Sequence, residues 1–260
     1  MSVTTDGMHG LATWFQTALG TTLLQKEARL LIQGVRRFHG DSMLWLGPTP
    51  VPGIELERCM VRHRFYGALP GYPALPASET TGAAASYIGS PEALPFPPGS
   101  LDAVVLHHAL DCCTDPRAAM REVCKALRPG GRLLVCGFNP LSLWGARRVI
   151  ARLYRDAFSD VRFVSPWRLL DWMAVLGIEA DEHVRYLMFR PPIGVGKFDA
   201  RPWVRMRAAL ERARVPIGGV YCLLGRKSAV GMLRLRATNA LRQPQLASVV
   251  VPHPTARFPR

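Results

Sequence analysis

The N-terminal part of the chain has the hydrophobic spacing of a helix. Apolar residues recur every three or four positions over 21–38, which predicts an amphipathic helix there, with Gly40 as its C-terminal cap. A shorter helix is expected before it, over 11–19. The apolar positions of the longer helix are Leu24, Ala28, Leu31, Val35 and Phe38.

Short apolar runs after this helix predict three strands. The first covers 43–46 and ends at Gly47, the second lies near 59–66, and the third covers 86–88. Stretches rich in proline and glycine separate these runs, and such stretches are typical of loops.

The pattern is sharpest in the middle of the chain. A continuous apolar run over 101–106 predicts a strand buried on both faces. Asp115-Pro116 then opens a helix with an N-cap residue and a proline at its first position, and Arg128-Pro-Gly-Gly131 ends it. A further strand is predicted over 132–138. Strand, helix and strand at this spacing form a βαβ unit, which predicts a parallel sheet.

The same cap-and-proline pair recurs at Ser165-Pro166 and opens another helix, which Gly177 ends. Strands are expected over 178–180 and 219–225, with a short Arg-rich helix within 191–216 between them.

Length and composition favour one folding unit. With 260 residues, of which 48% are hydrophobic, the chain can bury a sizeable core. We expect an N-terminal helical segment over 1–40, a main domain over 41–235 and a flexible Pro-rich tail over 236–260. No apolar run is long enough to span a bilayer and the start lacks the features of a signal peptide, so we expect a cytoplasmic protein.

The six cysteines do not have the spacing of a metal site. They form no CxxC pair, and we expect them to be reduced and largely buried. His107 and His108 precede Cys112 and Cys113, but adjacent side chains on a strand point to opposite faces. We therefore expect at most one of the two histidines to face a site, and we expect no metal ion.

The charge is distributed unevenly. The formal net charge is +14, and all of this excess lies in residues 132–260, which hold 22 basic and 8 acidic side chains. Such a half favours an anionic partner, such as RNA or a phospholipid surface, although a solvated basic face is equally compatible. Arg147, Arg148, Arg201, Arg205 and Arg212 are the candidates to ring an anionic site.

Four motifs in the middle of the chain occur together in a fixed order. They are the Leu-Pro-Phe loop at 94–96, the Leu-Asp-Ala-Val-Val strand at 101–105, the Asp-Pro helix start and the Leu-Arg-Pro-Gly-Gly turn at 127–131. The segment from Glu92 to Asn139 with these motifs resembles the second half of the methyltransferase type 11 domain, a class I S-adenosylmethionine-dependent methyltransferase. A looser likeness to a mostly uncharacterised bacterial subgroup extends over most of 11–232.

This resemblance implies a fold and a cofactor. The fold is α/β and Rossmann-like, with a mostly parallel seven-stranded sheet and helices on both faces. Ligands of such sheets lie beyond the C-terminal ends of the strands. The resemblance places S-adenosylmethionine at this edge, with its methionine part near Gly47 and its adenine near Ser90 to Glu92. Candidate cofactor contacts are Gly47, Pro48, Gly53, Ser90, Glu92, His107 and His108.

Substrate residues are expected in the loop after the strand over 132–138. Asn139 and Trp144 are the candidates to line a substrate pocket, and Trp144 could instead pack this loop against the core. One of the two histidines is a candidate general base, which a hydrogen-bonded structural histidine would also explain. No other catalytic residue is indicated.

The chain departs from the family at the cofactor loop. The usual acid two residues before the first glycine is Trp45, and the glycine-rich loop has become Gly47-Pro-Thr-Pro-Val-Pro-Gly53. The acid that normally binds the ribose has no match in 64–67, and the usual aspartate at the adenine is Ser90, whereas Glu92 is retained.

Three functions are therefore open. The first is methyl transfer from S-adenosylmethionine to an unidentified small-molecule or anionic acceptor. The second is a degenerate methyltransferase fold that binds nucleic acid or a membrane surface through its basic half. A nicotinamide-dependent dehydrogenase is a weak third, because the GxGxxG motif and its later acid are absent.

Overall fold

A single mixed sheet forms the centre of the molecule. The structure is a computed structural model that describes residues 5–47, 59–69, 85–145, 148, 158, 161–181, 184–187 and 218–228. The strands are β1 (His39–Gly47), β2 (Met60–Ala68), β3 (Ala85–Ile88), β4 (Leu101–His107), β5 (Leu127–Phe138), β6 (Ile178–Ala180), β7 (Arg185–Leu187) and β8 (Val220–Lys227). The helices are α1 (Thr5–Phe15), α2 (Ala18–Val35), α3 (Ala109–Cys112), α4 (Pro116–Ala126) and α5 (Pro166–Val175).

The strand order is β3-β2-β1-β4-β5-β8-β6, with β7 also paired to β8. The first five strands are parallel, and β8 runs antiparallel to β5. Because β6 and β7 pair with successive stretches of β8, they share one edge position. The sheet is therefore seven positions wide and mostly parallel, as the resemblance implied.

Helices cover both faces of this sheet. The stripe of α2 that carries Leu24, Leu31 and Val35 packs on one face together with α1. Met120 and Val123 of α4 and Leu169 of α5 pack on the other face. The fold class is therefore confirmed. None of the helices among the described residues is long and apolar enough to cross a membrane.

The two cap-and-proline predictions are confirmed. Asp115 accepts hydrogen bonds from the backbone N–H groups of Arg117 and Ala118, at 2.9 and 3.1 Å. Ser165 accepts one from the N–H of Arg168 at 3.3 Å. In both helices the proline occupies the first turn, where its missing N–H costs no helical hydrogen bond.

The predicted ends of the first two helices were wrong. The second begins at Ala18 after the N-cap Thr17 and ends at Val35, and the first spans Thr5–Phe15. Gly40 lies inside β1 with φ +130°, so it does not cap a helix. A Cβ at this glycine would lie 2.4 Å from Cγ of Asp102, so the missing side chain makes room for a buried carboxylate.

Other elements differ in length or were not predicted. The strand expected over 132–138 begins at Leu127, and β7 and the short helix α3 were not anticipated. The predicted Arg-rich helix within 191–216 and the predicted tail over 236–260 lie outside the described residues.

Candidate functional site

The C-terminal ends of β1 and β4 meet closely at the centre of the sheet. Gly47 is the last residue of β1, and a Cβ at this position would lie 2.6 Å from the carbonyl oxygen of His107. Any side chain at residue 47 would therefore push the two strand ends apart. Both residues lie at the edge where open α/β sheets bind their ligands.

A buried acid from α2 joins the two histidines at the end of β4. The Glu27 carboxylate lies with Oε2 at 3.0 Å from Nε2 of His107 and with Oε1 at 3.2 Å from Nε2 of His108. The side chains of all three residues are fully buried. One carboxylate thus contacts both imidazoles.

The expectation that the side chains of His107 and His108 point to opposite faces was wrong, whereas the number of histidines that face a ligand stays a prediction. Strand β4 ends at His107, and His108 has φ +53° and ψ +12°, in the left-handed region. This turn breaks the alternation of a strand and brings both rings to the same side, with their centroids 4.9 Å apart. Non-glycine residues rarely adopt this conformation, and the hydrogen bonds of the ring offset its cost.

A second acid completes the contacts of His108. Nδ1 of His108 lies 2.9 Å from Oδ2 of Asp111, which belongs to α3. The backbone N–H of Phe138 donates to the same oxygen at 3.0 Å, so Asp111 also ties the end of β5 to the site. Glu27 and Asp111 were not anticipated as site residues.

Both nitrogens of His108 face carboxylates, so the ring carries a proton on each. Burial opposes this charge, but the Glu27 and Asp111 carboxylates outweigh burial and raise the pKa of His108 to about 9. Burial likewise raises the pKa of Glu27, and the two histidines reverse that effect and lower it to about 2. The pair is thus an imidazolium and a carboxylate at neutral pH. Burial raises the pKa of Asp111.

His107 behaves differently from its neighbour. Burial lowers the pKa of His107, and the charge on His108 lowers it further; together they outweigh the hydrogen bond to Glu27. His107 is therefore neutral at pH 7, and its Nε2 donates its proton to Glu27. Nδ1 then keeps its lone pair, and this atom is buried without a partner among the described residues.

Trp45 lies beside this histidine. It stands where the family carries an acid, it is 3% exposed, and its ring packs edge-on against His107 with the centroids 5.9 Å apart. Its indole Nε1 also has no hydrogen-bond partner among the described residues. On the face of β1 and β4 that α2 covers, the described residues thus leave one buried donor and one buried acceptor unpaired.

The expectation that His107 and His108 cannot converge on one ion was also wrong. Glu27, His107, His108 and Cys136 each offer a ligand atom, and these four atoms lie within 4.8 Å of one another. The hydrogen bonds that Glu27 accepts from the two histidines already engage three of these four residues. Cys136 is buried, and burial raises the pKa of its thiol well above its usual value.

The cysteines otherwise follow the prediction. All six are free thiols, and five of them are buried while Cys112 is partly exposed.

Ser90 and Glu92 lie together in the loop after β3. The Ser90 hydroxyl accepts a hydrogen bond from the Glu92 N–H at 3.2 Å. The Glu92 carboxylate accepts one from the N–H of Asp115, just before α4. Both side chains are half-buried, so they remain candidates for a ligand. Pro48 and Gly53 lie outside the described residues.

Asn139 and Trp144 are both fully buried. The Asn139 amide donates to the carbonyl of Gly218 at 2.9 Å, and its oxygen accepts from the N–H of Leu141 at 3.0 Å. Trp144 packs against Trp14 and Phe158, with both pairs of centroids 5.3 Å apart. These contacts hold the loop against the core, and a role in substrate binding stays a prediction.

Of the five candidate arginines, only Arg148 lies among the described residues. Its guanidinium lies 5.3 Å from the ring centroid of Phe163. The predicted anionic site therefore stays a prediction.

Glu27 has a signal in the sequence that was overlooked. It lies three residues after Leu24 and four before Leu31, so it interrupts the apolar stripe of α2 with an acid. An acid at such a position is buried when the helix packs, and a buried acid needs a partner.

Comparison with known proteins agrees with this architecture. Residues 58–135 match the methyltransferase domain family. The uncharacterized protein YafS of Escherichia coli is 26% identical over 238 residues, which cover 91% of this chain and 89% of YafS. A ubiquinone/menaquinone biosynthesis C-methyltransferase, UbiE of Hahella chejuensis, is 52% identical over 96 residues, but these cover only 37% of this chain and 34% of that enzyme.

A solved structure shows the same fold. A SAM-dependent methyltransferase of Thermotoga maritima superposes with a TM-score of 0.54 at 16% identity, and the match covers 86% of this chain and all of the other. The sheet order and this superposition together show the Rossmann-like fold of S-adenosylmethionine-dependent methyltransferases.

Proposed function

We propose that the chain transfers a methyl group from S-adenosylmethionine to a small-molecule or anionic acceptor. The observation that carries this proposal is the polar edge at the ends of β1 and β4. There, two strands approach closely at Gly47, and Nε1 of Trp45 and Nδ1 of His107 are buried without a hydrogen-bond partner in the described part of the chain. Polar groups of the bound cofactor and of the acceptor would satisfy them.

Glu27 could replace the acid that the cofactor loop lacks. Trp45 occupies its place in the sequence, while the Glu27 carboxylate lies on the same face of the sheet and contacts His107. In the proposed enzyme, Glu27 acts on the cofactor edge through this histidine, and Ser90 and Glu92 contact the adenine. The cofactor supplies an activated methyl group, and the chain binds and orients the acceptor in line with it.

Calorimetric titration with S-adenosylhomocysteine tests cofactor binding directly. We expect saturable binding by the wild type and weaker binding by Ser90→Ala, because that change removes the hydroxyl that orders Glu92. Ser100→Ala is the matched control, because it removes an exposed hydroxyl of the same loop that donates to the Pro97 carbonyl at 2.8 Å. The absence of binding at millimolar S-adenosylhomocysteine would exclude the proposed activity.

The acceptor is then sought by its chemistry. Release of S-adenosylhomocysteine is measured against phenols, amines, carboxylates and activated carbon acids, each with S-adenosylmethionine in excess. The similarity to UbiE, named a C-methyltransferase, makes a quinol-like acceptor the first to test. If none of these classes of compound leads to release of S-adenosylhomocysteine, a small-molecule acceptor is excluded for the classes tested.

A second function is favoured by the charge distribution. The excess of basic residues over 132–260 and the proline-filled loop after Gly47 would suit a protein that binds nucleic acid or anionic membranes without catalysis. Binding to RNA or to anionic vesicles that weakens with salt, together with no affinity for S-adenosylhomocysteine, would support this function over the first.

A further inference from the structure

The two histidines at the end of β4 differ in the nitrogen atoms that they leave available. His108 has a carboxylate oxygen within hydrogen-bond distance of each ring nitrogen, at 3.2 and 2.9 Å. With both carboxyl groups ionised it makes these contacts as an imidazolium, because a neutral ring has just one N–H, and the pKa of His108 is raised to about 9. A ring in this state has no lone pair with which to accept a proton.

His107 makes one such contact and leaves the other nitrogen unpaired. Its Nε2 lies 3.0 Å from Oε2 of Glu27, and its Nδ1 is buried with no partner among the described residues. A carboxylate on one nitrogen fixes the tautomer and directs the lone pair to the other, which is how histidine bases are oriented in enzymes. The backbone and Cβ of His107 lie at the strand end beside Gly47, where the resemblance places the methionine part of the cofactor.

We propose that Glu27 and His107 form a general-base dyad that takes a proton from an oxygen or nitrogen acceptor, while His108 and Asp111 hold Glu27 in place. This proposal rests on the proposed methyltransferase function and names the acceptor chemistry of the same site. His107 is the catalytic residue, and Glu27, His108 and Asp111 are positioning residues.

The proton and electron pairs balance in one displacement. The acceptor X–H gives its proton to Nδ1 of His107 as the lone pair of X forms a bond to the methyl carbon. The carbon–sulfur bond breaks, and the sulfur keeps that electron pair as a neutral thioether. His107 leaves the step as an imidazolium beside the Glu27 carboxylate, which stabilises the new charge, and it then returns the proton to solvent.

Among the described residues, three titratable groups lie beside the imidazole of His107. Glu27 faces it from α2, His108 follows it directly in the chain, and Cys136 is its partner residue on β5. Asp111 contacts His108 and lies behind that ring. Glu27 alone favours the charged ring by direct contact, while burial and the charge on His108 oppose it. The dyad therefore keeps a neutral base at neutral pH.

Nitrogen-15 NMR of the full chain labelled in its histidine rings tests this proposal without an acceptor. We expect His108 to carry protons on both ring nitrogens from pH 6 to pH 8. We expect His107 to be neutral over the same range, with its proton on Nε2. Addition of saturating S-adenosylhomocysteine should shift the Nδ1 resonance of His107 while both nitrogens of His108 stay protonated.

Two variants separate positioning from folding. Glu27→Gln keeps the shape of the side chain but removes its charge, so the pKa of His108 should fall well below about 9. His63→Gln is the matched control, since His63 is an exposed histidine of β2, and it should leave both resonances unchanged. If Glu27→Gln fails to fold, the wild-type spectrum still decides the protonation states.

Three results would overturn the dyad. The first is a neutral His108 at pH 7 or a proton on Nδ1 of His107. The second is a His107 resonance that does not respond to S-adenosylhomocysteine when calorimetry shows that the compound binds. The third is one equivalent of zinc in the purified protein that is lost in Cys136→Ser but retained in Cys222→Ser, since a metal ion would occupy the same nitrogens. If calorimetry shows no binding, the proposed function fails, whereas the protonation states are still measured.

Discussion

Strand β4 has buried charge at both of its ends, and the two ends hold it by different means. At the N-terminal end, the Asp102 carboxylate accepts hydrogen bonds from the N–H groups of Asp41 and Ser42, at 2.7 and 2.8 Å, and pairs with Arg128. At the C-terminal end, Glu27 is held by two histidines. Backbone N–H groups do not titrate near neutral pH, whereas imidazoles do.

This difference gives Asp102 a structural role and leaves Glu27 in contact with groups that can transfer protons. Asp102 ties the start of β1 to the start of β4, and this link does not depend on the protonation of its backbone donors. Glu27 joins α2 to the C-terminal end of β4 through groups that exchange protons. Variants at the two ends of β4 should therefore differ in how strongly their loss of stability depends on pH.

The largest effect is expected for Glu27→Leu. This change leaves His107 and His108 buried without their shared carboxylate, and breaking a buried ion pair costs about 3–5 kcal/mol. Denaturant unfolding of the variant and the wild type at pH 7 measures the change in the free energy of unfolding. Glu122→Leu on the partly exposed face of α4 is the control and should cost less than about 1 kcal/mol. A loss below about 1 kcal/mol for Glu27→Leu would contradict the proposed network.

The next effect is a dependence of stability on alkaline pH. The pKa of His108 is raised from 6.5 to about 9, so its stabilisation is complete below pH 6.5 and is lost as pH rises through about 9. A shift of this size corresponds to about 3 kcal/mol. His108→Asn removes the titrating ring, so the variant should lose less stability than the wild type between pH 7 and pH 10. Equal losses in the two proteins would show that His108 is not the charged partner.

At the other end of the strand, Asp102→Ala should cost about 2–3 kcal/mol, because it leaves two backbone N–H groups without their acceptor. Its cost should be the same at pH 7 and at pH 10, since those donors do not titrate. Unfolding curves at the two pH values provide the measurement. A cost that falls markedly at pH 10 would remove the distinction between the two ends.

The smallest effect is expected for Arg128→Gln. The Arg128 side chain is 46% exposed, whereas that of Asp102 is 4% exposed, so solvent screens the pair from one side. The change should cost less than about 1 kcal/mol in the same unfolding assay. A loss as large as that of Asp102→Ala would mean that the guanidinium, rather than the backbone, holds the carboxylate.

Local signals made the second half of the sheet predictable from the sequence. The apolar run of β4 and the caps Asp115 and Ser165 each act within a few residues, so the chain reveals them without a structure. The ends of α2 were harder to predict, because Thr17 caps it and the apolar Phe38 lies beyond its end. The three-residue strand β7 has too few positions to show an alternation.

The candidate site was only half predictable. The ends of β1 and β4 follow from the strand pattern, and so do Gly47 and the two histidines as candidates. The contact between Glu27 and His107 joins residues 80 positions apart, and local spacing gives no information on such a pair. The two rings converge because His108 has a left-handed backbone conformation, and no motif in the sequence predicts this conformation.

The left-handed backbone of His108 also has a consequence for how this position tolerates variation. Asparagine and glycine adopt φ near +53° with little cost, whereas valine and isoleucine resist it because of their branched side chains. A library of all residues at position 108 should therefore sort into two classes by protein yield before any chemistry is measured. Among the variants that tolerate this backbone conformation, differences in ligand binding then reflect the loss of the imidazole and not a distorted backbone.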